Sequence, residues 1–259
     1  YEFFVYDGKK HASAIQWFER YPETILIVNS LSKTYAMTGW RIGYGIAHPD
    51  TASKLRAHEE GATFVLSNAP IAMRMGEINK LAEKTNSKII PADATSVEDI
   101  EKLYNEAMTH LGGKCDFVLH SIGMSVNIRK NIPYTSLNYD YVNKGFDVSA
   151  LSFHKMLAVA HKLDAINEWG SVVALTYIAA QKAYPFYTDM ADFKAMLESI
   201  ARTFGYHYGK EKKVRINTVS QSPTKTTAGS GIKGFHEFYE FAGLQSPLGN
   251  ASADDCANY

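Results

Sequence analysis

The sequence predicts an α/β fold: a doubly wound parallel sheet with helices on both faces, preceded by a strand-rich N-terminal appendage. Three observations carry this. Short runs rich in Val, Ile and Leu alternate with longer helix-like stretches along most of the chain. The apolar runs are continuous rather than alternating, as strands buried on both faces require. And 259 residues with 46% apolar content suffice for one large α/β domain or two modest ones.

Taken in order, the strand candidates are Thr24–Val28, Ala62–Leu66, Ser87–Pro91, Cys115–Leu119, Ser171–Thr176 and Val214–Val219. Each is bounded by polar residues or glycine. Helices are expected over Ile71–Glu83, Val97–Leu111, Tyr139–Leu163 and Thr188–Phe204. Residues 222–253, rich in Gly, Ser, Thr and Pro around short helical pieces, read as a long functional loop or lid.

Composition excludes several classes. A formal net charge of +0 argues against a nucleic-acid or anionic-membrane footprint. Cys115 and Cys256 lack metal-ligand spacing, so no metal site is expected, and two cysteines fit a reducing cytoplasm better than a disulfide framework. No run approaches the roughly 18 apolar residues of a membrane span. The chain opens on Tyr1-Glu2 without a signal-peptide pattern, which reads as a fragment or a processed product.

Two catalytic strings stand out. The first is Ser30-Leu31-Ser32-Lys33-Thr34-Tyr35-Ala36-Met37-Thr38-Gly39-Trp40-Arg41-Ile42-Gly43-Tyr44. It resembles the lysine segment of pyridoxal-phosphate aminotransferases, over about residues 1–57. The resemblance implies Lys33 as the Schiff-base amine, Ser30 and Arg41 as phosphate ligands, and Tyr1 as the partner of the cofactor phenolate oxygen. The aspartate and the substrate arginine of that family have no match here, so this set reads as vestigial. The Thr38-Gly39-x3-Gly43-x-Gly45 pattern also spells a dinucleotide-binding turn. It is not expected to act as one, since no strand leads directly into it and Pro49 would interrupt the helix that must follow.

The second string is Tyr187-x6-Lys194, with Tyr177 ten residues earlier at a strand end. If helical throughout, the seven-residue spacing sets Tyr187 and Lys194 on one face, where an ammonium lowers the phenol's pKa. Around it lie His120-Ser121-Ile122-Gly123, Pro91-Ala92-Asp93-Ala94-Thr95 and Pro223-Thr224-Lys225-Thr226, each following a strand candidate. From about Glu59 onward the chain resembles the enoyl-acyl carrier protein reductases, Rossmann-like nicotinamide enzymes of the short-chain dehydrogenase superfamily. The resemblance implies Tyr177, Tyr187 and Lys194 as catalytic residues. It implies NAD binding by Asp93, Ala94, Ser121, Ile122, Gly123, Lys194, Thr224 and Thr226. NADH is the family's common choice, and Ser67-Asn68-Ala69-Pro70 shows neither a ribose-gripping acid nor a phosphate-binding arginine, which leaves NADPH open.

The two resemblances together predict a chimera. Residues 1–58 would be an aminotransferase-like fragment and residues 59–259 a reductase-like domain lacking its first strand, its Gly-rich turn and its last strand, with a seam between Asp50 and Gly61. The expected substrate is an enoyl group on acyl carrier protein, with a homo-oligomer in the intact family and impaired turnover here. The alternatives are a pyridoxal-phosphate enzyme fragment and a chimera without catalysis.

Overall fold

The computed structural model describes residues 27–30, 43–46, 62–71, 77–184, 187–220, 223 and 235–251. The chain divides into two compact units, residues 1–62 with 253–259, and residues 63–252.

In the first unit β1 (Ile27–Ser30) pairs antiparallel with β2 (Gly43–Ile46), Ser30 opposite Gly43. Gly43 and Gly45 therefore lie in a strand, not at the start of a helix as a dinucleotide turn would need.

The second unit holds the α/β alternation. β3 (Val65–Leu66) pairs parallel with β4 (Lys88–Ile89), and α1 (Glu77–Thr85) lies between them in sequence. Next come α2 (Val97–Leu111) and β5 (Cys115–His120). A short α3 (Val126–Arg129) leads to α4 (Tyr139–Phe146), a π-turn (Asp147–Leu151) and α5 (Ser152–Lys162). After β6 (Ile166–Leu175) the chain forms the long α6 (Met190–Lys212), β7 (Arg215–Val219) and α7 (Phe235–Gln245). β5, β6 and β7 form a parallel sheet in that order. Among the described residues no strand joins β3 to β5, so the sheet is in two pieces.

Local chemistry explains the elements. In α2, Ser96 caps the first turn by accepting from the Asp99 N–H at 3.1 Å, and Gly112 ends the helix in the left-handed region at φ 74°. Its buried residues Ile100, Tyr104 and Ala107 form one stripe. The core gathers that stripe with Phe153 and Leu157 of α5, Val172 and Ala174 of β6, and Leu197 and Ile200 of α6. Burial of each large apolar side chain contributes about 1.5–3 kcal/mol.

Three expectations are corrected in extent. Tyr139–Leu163 is two α-helices joined through the π-turn rather than one. β6 begins at Ile166, five residues ahead of the expected Ser171: its ladder with β5 continues across an irregularity, Cys115 pairing with Ile166 but Phe117 with Ser171. Gly170 sits inside that irregularity, where a Cβ would lie 2.5 Å from Ile166 Cγ2, so a polar, glycine-containing stretch that reads as a turn belongs to the strand. α6 runs to Lys212 rather than Phe204. Gly205 and Gly209 face the backbone oxygens of Ile216 and Val214, at 3.7 and 3.5 Å from a notional Cβ, so they bring β7 close instead of ending the helix.

Candidate active site

The site forms at the carboxyl ends of β5 and β6, where parallel sheets present ligand-binding turns. Tyr177 follows β6 with extended backbone and caps the 3-10 turn Ile178–Ala180. Its ring stacks on Tyr187, centroids 4.5 Å apart and planes inclined 25°. Phe238 of α7 meets Tyr177 edge-on at 5.9 Å and Tyr184 at 5.4 Å, closing an aromatic cluster.

Tyr187 does not share a helix with Lys194, contrary to the spacing argument. α6 starts at Met190, and Thr188 adopts φ 36°, which a β-branched residue resists and which no helix continues. Nor is the phenol acidified: burial pushes Tyr187 up to about 12. It packs beside Ile128, Met190 and Phe193, an apolar cluster that disfavours phenolate. Tyr177 is also raised, by desolvation first and then by its tyrosine neighbours. Its hydroxyl is buried with no hydrogen-bond partner, a donor left for something else to meet. The core hydroxyls of Tyr104 and Tyr208 are equally unpaired, so that signal counts only together with the strand-end position.

Lys194 is the hub. Its ammonium donates to the Leu175 carbonyl at 2.6 Å and to the Ile122 carbonyl at 3.3 Å, joining the turns after β6 and β5. It is buried, and desolvation lowers it to about 8. Gly123 lies against it, a notional Cβ 3.7 Å from Nζ. Ser121 and Gly123 are exposed, whereas Met124 is held through both its N–H and carbonyl by buried Ser149 of the π-turn. His120 donates from Nε2 to Ser152, whose hydroxyl hydrogen goes to the Val148 carbonyl at 2.6 Å. Burial, and then the Lys194 charge, pushes His120 down to about 3, so it is neutral.

Asp93 follows β4 and is exposed. It accepts from the Thr95 N–H and hydroxyl, chiefly through which its carboxyl falls below the usual range. Ala94 stands next to it. Lys155 of α5 braces this turn by donating to the Thr95 carbonyl at 2.8 Å and to Asp147 at 2.6 Å. Glu198, one turn beyond Lys194, accepts from Thr176 and Gln181, which flank Tyr177.

Thus Tyr177 comes together with Tyr187, and Lys194 with Ile122 and Gly123. Thr224, Thr226, Tyr1, Lys33 and Arg41 lie outside the described residues, and Ser30 ends β1. The sequence reading missed Ser149, Ser152, Asp189, Glu198 and Phe238. No spacing signals a π-turn, and Phe238 was absorbed into an expected loop. A groove of about 610 Å³ along α6 and β7, between Trp169 and Asn217, contains none of these groups, so volume does not mark the site. Among the described residues no cluster of three or more His, Cys, Asp or Glu is arranged to hold a metal.

The model of the Enoyl-(Acyl carrier protein) reductase family matches residues 42–259. The chain belongs to that family. This likeness reaches upstream of residue 59, where the residue strings alone place its start, and upstream of the expected seam. The enoyl-[acyl-carrier-protein] reductase [NADH] FabI of Salmonella typhimurium is 30% identical over 236 residues, covering 84% of this chain and 82% of that protein. Reductase [NADH] 1 of Rhizobium meliloti is 33% identical over 157 residues, 60% of this chain, and the match spans only 56% of that protein's length. Among solved structures, the FabI–NADH complex from Alistipes finegoldii has a TM-score of 0.78 at 62% identity, covering 80% of this chain and 74% of that one. Among the described residues no helix is long and apolar enough to cross a membrane.

Proposed function

We propose that residues 59–259 act as an NADH-dependent reductase of trans-2-enoyl thioesters carried on acyl carrier protein, in fatty acid biosynthesis. The observation that carries this reading is the stacked Tyr177–Tyr187 pair after β6, together with a buried lysine, Lys194, that donates to the Leu175 carbonyl at the end of the same strand. Residues 63–252, most of that span, form one compact unit. Cytoplasmic location and homo-oligomeric assembly belong to the same reading.

The donor set suits a dinucleotide. An ammonium has three hydrogens, and the two carbonyls of Leu175 and Ile122 leave one for a ribose hydroxyl. Asp93 and Ala94 would take the adenine end, Ser121, Ile122 and Gly123 the nicotinamide ribose, and Thr224 and Thr226 the nicotinamide side. When bound, NADH supplies the hydride for the β-carbon. Tyr187, neutral at any working pH, donates a hydrogen bond or a proton to the thioester oxygen as charge builds there, and Tyr177 offers its unpaired hydroxyl to the same oxygen. Lys194 orients ribose and both turns.

Loss of nicotinamide absorbance with crotonyl-coenzyme A tests the reading. Turnover that Tyr187→Phe abolishes supports it; silence at saturating NADH sinks it.

A second reading concerns residues 1–58 alone. The β1–β2 pairing sets Ser30 opposite Gly43; Lys33 and Arg41 lie between these two residues in sequence. An imine absorbance with pyridoxal phosphate, lost in Lys33→Ala, is its test.

A further inference from the structure

We propose that Asp189 is a positioning residue for this reaction: its carboxylate ties the turn after β5 to the strained backbone beside Tyr187, and so fixes the phenol over the nicotinamide side of the site. The inference rests on the enoyl reductase reading.

Asp189 is fully buried, at 0% exposure, in a chain where no cation is paired with it among the described residues. Three donors converge on it instead. Ser125 Oγ–H approaches Oδ1 at 2.6 Å, Thr188 Oγ1–H approaches the same oxygen at 3.0 Å, and the Asn127 amide approaches Oδ2 at 2.6 Å. It does not cap α6 by a side-chain bond, although it stands at the N-cap position immediately before that helix. The acid is therefore spent on linking segments rather than on ending one.

Each donor leads somewhere useful. Ser125 accepts from the Ile128 N–H and so caps α3, and its single hydroxyl hydrogen must go to Asp189. Asn127 is buried and holds Asn138 by accepting its N–H at 3.2 Å. These two residues close the segment that begins at Ser121-Ile122-Gly123. Thr188 is the residue with φ 36°, placed between Tyr187 and Asp189. A β-branched residue stays in that region only where its surroundings hold it there, and the bond from its hydroxyl to Asp189 is such a hold. One carboxylate thus joins the ribose turn to the backbone that aims Tyr187. Lys194 joins the same turn to Leu175 from the other side.

Asparagine tests the claim without changing shape. In Asp189→Asn one of the two accepting oxygens becomes a donor: with the nitrogen toward Asn127 two amides meet donor against donor, and with the amide turned over the nitrogen faces the Ser125 and Thr188 hydroxyls and removes the acceptor of the Ser125 hydrogen. The expected result is a fall in kcat of roughly 10- to 100-fold with a smaller rise in the KM for NADH and a melting temperature near that of the wild type. Reciprocal exchange, Asp189→Asn with Asn127→Asp, restores a donor facing an acceptor and is expected to recover most of the loss. Wild-type kcat and KM in Asp189→Asn overturn the proposal, as does a folded exchange variant that recovers nothing. If Asp189→Asn does not fold, the exchange variant is read by itself, and Ser125→Ala, which keeps the carboxylate, is read for the same fall in kcat; an unchanged kcat there overturns the proposal as well. The wild type is run in parallel. Its silence with NADH and crotonyl-coenzyme A removes the enoyl reductase reading and this inference with it, whereas wild-type turnover with an indifferent Asp189→Asn removes the inference alone.

Discussion

Tyr187 and Lys194 were singled out by the strings around them as much as by their spacing, and the environment of the phenol was not legible in either. Spacing suggested a phenol made acidic by a neighbouring ammonium; burial in an aromatic and apolar cluster reverses the sign. Tyr187→Phe should therefore cut kcat at least about 100-fold while NADH binding, followed by nicotinamide fluorescence, stays within a few-fold. Lys194 gives a pH prediction. Its folded value of about 8 lies below the ordinary 10.5, so the unfolded chain holds more protons between those values. The charged lysine thus destabilises the fold below about pH 8, and stability rises with pH between about 8 and 10.5, by on the order of 3 kcal/mol in full. Urea midpoints at pH 7 and pH 9.5 should show this rise, and Lys194→Met should flatten it. NADH affinity moves the other way, falling as the ammonium discharges above about pH 8. Asp93 was singled out by its place at a strand end and by the family resemblance, while its bonds to Thr95 came only with the structure. Asp189 was not, since nothing in Thr188-Asp189-Met190 tells that Ser125 and Asn127 will arrive beside it.

At the scale of elements, α6 is the bench on which the site is mounted. Lys194 and Glu198, one turn apart, grip the chain on either side of Tyr177, through Leu175, Thr176 and Gln181. Glu198→Ala leaves the Thr176 and Gln181 donors unpaired. It should cost about 1–3 kcal/mol in chemical denaturation and lower kcat, with Glu198→Gln milder in both. α4 meets α6 where Gly145 faces Phe193, a notional Cβ only 2.6 Å from the ring. Gly145→Ala should lower the melting temperature by several degrees in calorimetry, because neither buried group has room to give. The helices and strands of the second unit were readable from periodicity, α2 to the residue. The π-turn was not, since it changes the rotation of the chain without changing its hydrophobic pattern. It nevertheless supplies Asp147 and Ser149, and is followed at once by Ser152, three side chains that brace the turns after β4 and β5.

For the whole molecule, α/β class and parallel pairing were predicted from the order of elements, because alternating strands and helices have few other ways to bury both faces of a sheet. The division of the sheet among the described residues, β3–β4 apart from β5–β6–β7, is not marked in the pattern of elements. One side of the β5–β6–β7 sheet carries the packed helices, and β5 shows Phe117 at 40% and Leu119 at 46% exposure. Among the described residues no strand pairs with the outer edge of β5, and exposed apolar residues beside such an edge favour self-association. Replacing Phe117 with Ser and Leu119 with Thr should therefore reduce the apparent mass in light scattering at high concentration, with the calorimetric midpoint of the second unit little changed.

That same bare patch bears on how the protein should be handled at the bench. Dyes that brighten in oily surroundings will find a berth on Phe117 and Leu119 before any heating begins. A dye-based melt would start from a bright baseline and hide a genuine shift on adding NADH, so ligand screening belongs on a scanning calorimeter.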